Sequence, residues 1–537
     1  MRPKFTNEFT YRRFLESGRE GEFDRLFDSA VEKLRRNMGR IYPIYIDGKD
    51  TYSTTKLVER SPIDGSVIGT FQKGGRAHAQ EAIDAAMKAF ASWQHSDYRE
   101  RASVFRKFAD LASRDKFELA AILSMENGKS RYESVGEVDE AIDFARYYAD
   151  ELEANKGYAA KRRLAGTSTV KEGFQGAPAP SERITLSMRP YGVFGVLAPF
   201  NFPVSISAGM SIGAMITGNT VVFKPSCTDN MTMMTGLKLY RLFSEAGVPP
   251  GVINFVTGPG SEVGDELVKN KGVSGIVFTG SRSTGIGMIR ETYSAGMQKA
   301  FIVEMGGKNP AIVSKTCDLD AAASGTVSAA FGYAGQKCSA LSRVYVHESV
   351  KEIFVSKAVE RMRALKIGDP LKKDVFIGPL MGEKSLKRYT ESVEKIKVSG
   401  RLLYGGERID AALNGLYVEP VLAELRQSHE LVHEELFLPI LLLIPYRDFS
   451  EAVAMANDTE YGLTAGLYSK NRKEVEEFSR RIEAGVVYVN RAVSATTGAI
   501  VGAHTFVGWK GSGLTGKGTG SRFYLEQFMR EQSLSVQ

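Results

Sequence analysis

The 537-residue chain has only three cysteines, Cys227, Cys317 and Cys338, and no CxxC pair. So few cysteines exclude a disulfide framework, and the missing CxxC pair argues against the usual zinc and dithiol motifs. Residues 1–10 contain no apolar core of the kind that a secretory signal needs. We therefore expect a protein of the reducing cytoplasm.

Strong charge of one sign and long apolar helices are also missing. The 70 Lys and Arg residues nearly balance the 63 Asp and Glu residues, and the basic runs are short, so a nucleic-acid partner is not expected. Residues 190–223 carry no charge and are long enough to span a bilayer. Because Pro199, Pro203 and Gly218 interrupt them, we interpret them as buried strand, loop and helix rather than as a membrane span.

Strands and helices alternate from Tyr191 onward. Residues 193–197, 220–223, 253–255 and 275–278 predict strands, and residues 205–216 and 232–245 predict the helices between them. Such alternation implies parallel pairing in a doubly wound sheet. A second strand-helix series from residue 301 to residue 484 predicts a second lobe, so the fold class is α/β with two lobes.

The rest of the chain predicts appendages to these lobes. Residues 22–38 have the spacing of an amphipathic helix, residues 42–46 predict a strand, and Asp47 and Gly48 predict a hairpin turn. The Gly- and Pro-rich residues 165–188 suggest a β-arm, and the tail is predicted to be Gly-rich and then helical. The predicted organisation is an N-terminal helical arm (1–40), a cofactor-binding domain (41–164 and 189–300), a catalytic domain (301–486), and an oligomerisation arm with the C-terminal tail (165–188 and 487–537).

Cys338 and Glu304 are the strongest candidates for chemistry. A cysteine thiolate attacks carbonyl groups well, although a lone cysteine is more often a small buried apolar residue. Glu304 ends a predicted apolar strand and precedes Gly306 and Gly307, which places it at the carboxyl edge of a sheet, where ligands bind in α/β folds. A carboxylate in an apolar site has a raised pKa and can act as a general base.

Two further segments have weaker signals of their own. Asn201 lies between Pro199 and Pro203, where a side-chain amide could donate to an oxyanion or could simply form a turn. The segment Thr279-Gly280-Ser281 follows a predicted strand and opens a helix, as suits a pyrophosphate, but it is not the GxGxxG motif.

Together these segments resemble the aldehyde dehydrogenase superfamily in order and spacing, over nearly the whole chain. One such motif would carry little weight, whereas seven in order are not expected by chance. They read PFNFP, FKPS, FTGS, EMGGK, GQKC, EELF and NDTEYGLTAGLYS.

The resemblance implies a fold, a reaction and a role for each matching residue. The implied fold has cofactor and catalytic lobes with a β-arm for oligomerisation, so at least a homodimer is expected. Cys338 would be the nucleophile, Asn201 and the Cys338 backbone N–H would hold the oxyanion, and Glu304 would activate water to hydrolyse the thioester. NAD, or NADP, would be the cofactor, bound by Lys224, Pro225, Ser226, Gly280, Ser281, Glu435 and Phe437.

Within the superfamily the chain is most similar to the pyrroline-5-carboxylate dehydrogenases, which oxidise glutamate semialdehyde to glutamate in proline catabolism. The N-terminal arm and the motifs GQKCSALSRVYV and TGAIVG carry this likeness. A hydroxyl and two backbone N–H groups can bind the remote carboxylate of such a substrate. The residues implied in substrate binding are Ser339, Gly498, Ala499, Phe202 and Phe506.

Some positions depart from the family pattern. Residues 504–508 read HTFVG where the family has QPFGG, residues 492–496 lengthen the predicted anchor loop, and Leu438 replaces a glycine. Another small or acidic semialdehyde therefore stays an alternative substrate. Cys227 occupies the position where NAD-preferring members carry an acidic residue, which leaves NADP open.

Two other classes of protein compete with this interpretation. Residues 429–433 match the zinc-hydrolase pattern HExxH, but no third ligand is evident, and we interpret them as a polar turn without a metal. A structural or binding protein that keeps the fold would be expected to lose the catalytic cysteine or glutamate, and both are present.

Overall fold

The structure is a computed structural model. It describes residues 5–8, 10–164, 182–228, 230–410, 413–493 and 500–536.

Sixteen α-helices are found in the described residues. They are α1 (Thr10–Glu16), α2 (Glu20–Arg35), α3 (Arg76–Trp93), α4 (Tyr98–Arg114), α5 (Lys116–Asn127), α6 (Arg131–Ala154), α7 (Ser205–Ile216), α8 (Met233–Ala246), α9 (Asp265–Lys269), α10 (Arg282–Ser294), α11 (Leu319–Phe331), α12 (Lys351–Arg363), α13 (Glu383–Ser399), α14 (Glu430–His433), α15 (Phe449–Asn457) and α16 (Arg472–Arg481).

The same residues form twenty-four β-strands. They are β1 (Ile41–Tyr42), β2 (Ile44–Ile46), β3 (Lys49–Thr51), β4 (Lys56–Arg60), β5 (Val67–Gln72), β6 (Ala159–Leu164), β7 (Glu182–Pro190), β8 (Val193–Leu197), β9 (Thr220–Lys224), β10 (Ile253–Phe255), β11 (Val273–Gly280), β12 (Ala300–Met305), β13 (Asn309–Val313), β14 (Leu341–His347), β15 (Arg401–Tyr404), β16 (Arg408–Ile409), β17 (Tyr417–Val418), β18 (Val421–Glu424), β19 (Ile440–Tyr446), β20 (Tyr461–Gly462), β21 (Thr464–Tyr468), β22 (Val486–Val489), β23 (Trp509–Lys510) and β24 (Met529–Val536).

The first large sheet has the strand order β12-β11-β8-β9-β10-β2-β3, and its first five strands are parallel. Alternate side chains enter two different apolar clusters: Phe194 and Val196 lie in one, and Val193 and Leu197 lie in the other. Apolar side chains therefore cover both faces of the sheet, as the alternating pattern predicts for a doubly wound lobe.

The second large sheet has the order β15-β18-β19-β14-β13-β21-β22, and β15 alone runs antiparallel to its neighbour. It begins at Asn309, not at residue 301 as predicted. The strand β12 pairs with β11 of the first sheet instead. The sequence pattern shows a strand there but not which sheet it joins, and the domain bounds remain predictions.

The appendages match the predictions less evenly. The hairpin turn between β2 and β3 is confirmed, since Asp47 and Gly48 both have positive φ, at 52° and 74°. In α2, Phe23, Phe27 and Val31 are buried at the predicted spacing.

The prediction of a helical end to the tail is wrong. One 3-10 turn leads instead into β24, which pairs antiparallel with β7 along eight residues, and β6 completes this sheet. Pairing with a neighbouring strand here outweighs the helix propensity of the tail.

The charge-free residues 190–223 fold as the end of β7, then β8, α7 and β9. Over the part of the chain that the structure describes, no helix combines the length and the apolar character needed to cross a bilayer.

Candidate active site

Four predicted site residues follow neighbouring strands of the first sheet. Asn201 follows β8, Lys224 ends β9, Ser281 follows β11 and Glu304 lies near the end of β12. Because these strands are parallel, their carboxyl ends meet at one edge of the sheet. This is the edge at which ligands bind in open α/β sheets.

Cys338 approaches this edge from the second sheet. It lies between a 3-10 turn, Gly332–Gly335, and the start of β14. Gly335 has φ +68°, and a Cβ there would lie 2.3 Å from the carbonyl oxygen of Leu438, so only glycine fits the turn. The chain also passes from the end of β12 directly to the start of β13, which brings the two sheet edges together.

Hydrogen bonds and close packing connect the segments that carry the three predicted catalytic residues. The Asn201 side-chain amide donates to the carbonyl of Gln336 at 3.2 Å, two residues before Cys338. On the other side, Asn309 donates its side-chain amide to the carbonyl oxygen of Cys338 at 2.7 Å. A Cβ on Gly307 would lie 2.4 Å from that oxygen, so the segment after Glu304 packs directly on the cysteine backbone.

Glu304 and Cys338 are both partly buried, and the charge of Glu304 contributes to the pKa of Cys338. Burial of its thiol, followed by the charges of Glu435 and Glu304, raises the pKa of Cys338 to about 12. Burial also raises the pKa of Glu304 to about 8, and its buried Oε2 has no hydrogen-bond partner among the described residues. A carboxyl group in this state can take up a proton near neutral pH.

Glu435 lies against the same turn. Its Oε1 accepts the backbone N–H of Gly307 at 2.8 Å, and a Cβ on Gly306 would lie 1.9 Å from its Oε2. Burial raises the pKa of Glu435 to about 7. Phe437, two residues later, has φ +60° and packs edge-on against Phe200 at 5.8 Å between ring centroids.

The predicted cofactor residues Lys224 and Ser281 lie at the carboxyl ends of β9 and β11, the two strands that flank β8. Lys224 is buried, and its amine donates only to the carbonyl of Pro225, at 3.1 Å, among the hydrogen bonds of the described residues. Ser281 is the N-cap of α10 and accepts the N–H of Thr284 at 3.3 Å. Ser226 is partly exposed, and Gly280 lies against the Phe278 ring. The amine of Lys224 can still donate to a ligand, and the N-terminus of α10 suits the pyrophosphate of a dinucleotide.

The predicted substrate residues are only partly described. Ser339 is buried beside Cys338, and Phe202 follows Asn201. Phe506 is partly buried and donates its N–H to the carbonyl of Thr519 at 3.3 Å. Gly498 and Ala499 lie outside the described residues, so their predicted role stays a prediction.

Sequence reasoning missed a buried ion pair that supports Asn201. Lys129 pairs with Glu137, and its amine also donates to the carbonyl oxygen of Asn201 at 2.7 Å. Glu137 accepts the N–H groups of Val204 and Ser205, at 2.7 and 3.2 Å, at the start of α7. The pair therefore holds the loop at Asn201 itself and at the end that enters α7.

A second missed pair lies next to the nucleophile. Lys337, the neighbour of Cys338 in the chain, pairs with Glu133, and the Glu133 Oε2 is buried without a hydrogen-bond partner in the described residues. In the sequence Lys129, Glu133 and Glu137 are spaced by four residues, as on one face of a helix. In the structure only Glu133 and Glu137 lie on α6, and Lys129 lies between α5 and α6. That spacing was the only signal in the sequence, and it is equally typical of a solvated helix.

The two histidines of the HExxH segment accept or share hydrogen bonds with the backbone around α14. His429 caps α14 by accepting the N–H of Leu431 at 3.1 Å, and His433 Nε2 lies 2.9 Å from the Gln427 carbonyl. Within the described ranges no group of three or more potential metal ligands is found.

Comparison with known proteins adds to this geometry. The sequence pattern of the "Aldehyde dehydrogenase family" matches residues 49–534. The chain is 36% identical to 1-pyrroline-5-carboxylate dehydrogenase of Bacillus licheniformis, over 99% of each chain. It is 36% identical to 1-pyrroline-5-carboxylate dehydrogenase 2 of Bacillus subtilis, over 95% of each chain.

Solved structures agree with these relatives. A 1-pyrroline-5-carboxylate dehydrogenase from Thermus with bound NAD superposes with a TM-score of 0.89 at 35% identity, covering 99% of each chain. Proline utilization A from Bdellovibrio bacteriovorus superposes with a TM-score of 0.91 at 32% identity, and the match covers all of this chain and 54% of that one.

Proposed function

Because this chain belongs to the aldehyde dehydrogenase family, we propose that it oxidises L-glutamate 5-semialdehyde to L-glutamate with NAD. The observation that carries the chemistry is the convergence of Asn201, Glu304 and Cys338 between the two sheets. The names of the relatives, and the NAD in the Thermus structure, support the substrate and the cofactor.

The proposed first step is attack by the Cys338 sulfur on the aldehyde carbon. The thiol must lose its proton as the S–C bond forms, because its pKa is about 12. This proton leaves to water in the proposed step, so that Glu304 stays available as the base for the later hydrolysis. The amide of Asn201 and the backbone N–H of Cys338 would hold the oxyanion that forms.

The proposed second half of the reaction releases the acid. NAD, when bound, accepts the hydride, which leaves a thioester on Cys338. Glu304 then removes a proton from water, and the water oxygen attacks the thioester carbon. The C–S bond breaks, and the departing sulfur of Cys338 takes up the proton that Glu304 holds. The amine of Lys224, the N-cap of α10 and the Glu435 carboxylate are the groups that would hold the two ends of the dinucleotide.

Two properties of the whole protein belong to the same proposal. We propose at least a homodimer that uses the three-stranded sheet of β6, β7 and β24. All residues of β24 after Met529 are exposed in the single chain, among them the apolar Leu534 and Val536. An exposed strand of this kind is usually covered by a partner.

A cytoplasmic location is proposed from the low cysteine content.

A panel of semialdehydes tests the proposed function. With NAD present, reduced cofactor should form fastest, judged by kcat/KM, with glutamate semialdehyde. Cys338→Ser should lower that rate at least about a thousandfold, because the hydroxyl is a far weaker nucleophile at this site. Cys317→Ser is the matched control and should keep full activity. Cys317 is a partly exposed cysteine that packs against the apolar side chains around the second large sheet. Preference for another aldehyde would contradict the substrate, and turnover by Cys338→Ser would contradict the mechanism.

A further inference from the structure

Residues 5–8, called here the N-terminal strap, contact two segments that are far apart in the sequence. The side-chain amide of Asn7 donates to Oδ2 of Asp143 at 2.9 Å and to the carbonyl oxygen of Val501 at 3.0 Å. Asp143 belongs to helix α6, and Val501 belongs to the segment between the predicted anchor residues and Phe506. One side chain therefore ties this segment to α6.

The strap has a second contact with the same segment. The Phe5 ring packs edge-on against Tyr147 of α6, with 5.3 Å between ring centroids. Gly502 lies on this pair: a Cβ there would be 2.9 Å from the Tyr147 ring and 3.2 Å from the Phe5 ring. Its φ of +75° and this close approach both require glycine.

The strap itself is anchored firmly on its other side. The N–H of Glu8 donates to Oδ1 of Asp143 at 2.8 Å. The Glu8 carboxylate accepts from Lys116 at 2.9 Å and from Arg146 at 2.7 Å. These two cations lower the pKa of Glu8, against the opposing effect of burial, so the anchor stays ionised at neutral pH.

The segment held by the strap is a tight turn, residues 500–504. The N–H of Ile500 donates to the carbonyl of His504 at 2.9 Å, and the reverse bond is 2.8 Å. Gly502 also donates to the carbonyl of Gly520 at 3.0 Å. Phe506, a predicted substrate residue, follows two residues after this turn and is bonded to Thr519.

We infer that the N-terminal strap is a positioning element for the substrate end of the site. It holds the 500–504 turn against α6, and so fixes Phe506 and the backbone that leads to the predicted carboxylate-binding loop. Glu133 and Glu137, close to Cys338 and Asn201, lie on the same helix. The helix is thus a common base for the catalytic loop and the substrate turn. This inference rests on the proposed function, because it assigns the turn to substrate binding.

The variant Asn7→Ala in the full chain tests the inference. It removes the bond to Val501, and a lost hydrogen bond of about 0.5–1.5 kcal/mol corresponds to a KM rise of about two- to tenfold. The rise is expected for a carboxylate-bearing semialdehyde, with kcat unchanged and KM for propanal unchanged. Hydrogen exchange at the amides of Gly502 and His504 should become faster.

Thr10→Ala is the matched control. Thr10 follows the strap and donates to Asp139 of α6 at 2.7 Å, and no contact between it and the turn is found in the described residues. It should change neither KM nor exchange at the turn. Unchanged KM and exchange in Asn7→Ala, or an equal KM rise for propanal, would overturn the inference.

The assay uses whichever carboxylate-bearing semialdehyde the wild-type protein prefers. If the proposed substrate is wrong, the wild-type protein will prefer another semialdehyde. If the role of the strap is wrong, the KM of Asn7→Ala will equal that of the wild type. If the wild type oxidises no carboxylate-bearing aldehyde, both the proposed function and this inference are overturned.

Discussion

Glu304 and Glu137 are both glutamates in water-poor surroundings near the catalytic centre, but their partners differ. Glu137 pairs with Lys129 and accepts two backbone N–H groups at the start of α7. Glu304 has no hydrogen bond to its buried Oε2 within the described residues, and burial is the only cause that shifts its pKa, to about 8.

The difference separates a structural carboxylate from a reactive one. Partners stabilise the charge of Glu137 and hold its side chain in one position, so it serves to fix the Asn201 loop. Without partners, the Glu304 carboxyl can both take up and release a proton near neutral pH, at a cost in stability. Glu137 is 2% exposed and Glu304 is partly buried, and their hydrogen bonds separate the two residues further.

The largest expected effect comes from removing the ionisable group of Glu304. Glu304→Gln should lower steady-state turnover about 10²–10⁴-fold, the usual contribution of a general base. Mixing the variant rapidly with NAD and aldehyde should still give one burst of reduced cofactor per active site, because the proton of the thiol leaves to water and not to Glu304. Steady-state turnover like that of the wild type would contradict the role of Glu304 in hydrolysis.

Glu137→Gln is the comparison for that experiment. Gln keeps the shape of Glu137 and one acceptor oxygen but loses the charge opposite Lys129. We expect a loss of stability and a smaller fall in turnover, with the burst and the steady state reduced in the same proportion. A fall in the steady-state rate without an equal fall in the burst would mean that Glu137, too, takes part in hydrolysis.

A second prediction concerns the stability that the paired region contributes. Lys129→Met should lower the free energy of unfolding by about 3–5 kcal/mol, because it leaves the Glu137 charge buried without its partner. The double variant Lys129→Met/Glu137→Leu should lose less than the single variant. Urea denaturation measures both.

Arg472→Ala is the matched control for this buried pair. It removes an exposed Arg472–Glu476 pair on α16 and should change the free energy of unfolding by less than about 1 kcal/mol. A loss in Lys129→Met no larger than in this control would contradict the structural role of the pair.

The sequence predicted the large elements of the fold much better than the contacts that support the candidate site. The strands β8 and β10 and the helix α7 have the predicted bounds, because their apolar patterns are clear. Asn201, Glu304 and Cys338 could be proposed as catalytic because each lies in a motif that resembles the family, and their roles stay predictions.

What could not be predicted depends on contacts between distant residues. The charges of Lys129 and Glu137 fit a solvated helix equally well in the sequence, but in the structure both are buried beside the loop that carries Asn201. The residues of β24 favour a helix individually, and their strand exists because β7 lies beside them. In the same way, nothing in the pattern of residues 300–305 indicates that they join the first sheet.

The smallest expected effect concerns the dependence of stability on pH. Burial raises the pKa of Glu304 to about 8 in the folded protein, against about 4.3 for an unfolded glutamate. The folded state therefore binds the proton more tightly, and the stability linked to it, fully present below the unfolded pKa, is lost as pH rises through the folded pKa. Because Gln cannot ionise, the free energy of unfolding of Glu304→Gln should be higher than that of the wild type.

This gain should increase between pH 5.5 and pH 8.5 and reach about 1–3 kcal/mol, less than the full linkage because the site has some access to water. Urea denaturation at the two pH values measures it. Glu476→Gln is the control, since the Glu476 side chain is 55% exposed and should give no gain that depends on pH. A gain for Glu304→Gln that is equal at both pH values would mean that the carboxyl pays no penalty for ionising. The absence of a partner would then not be what distinguishes Glu304 from Glu137.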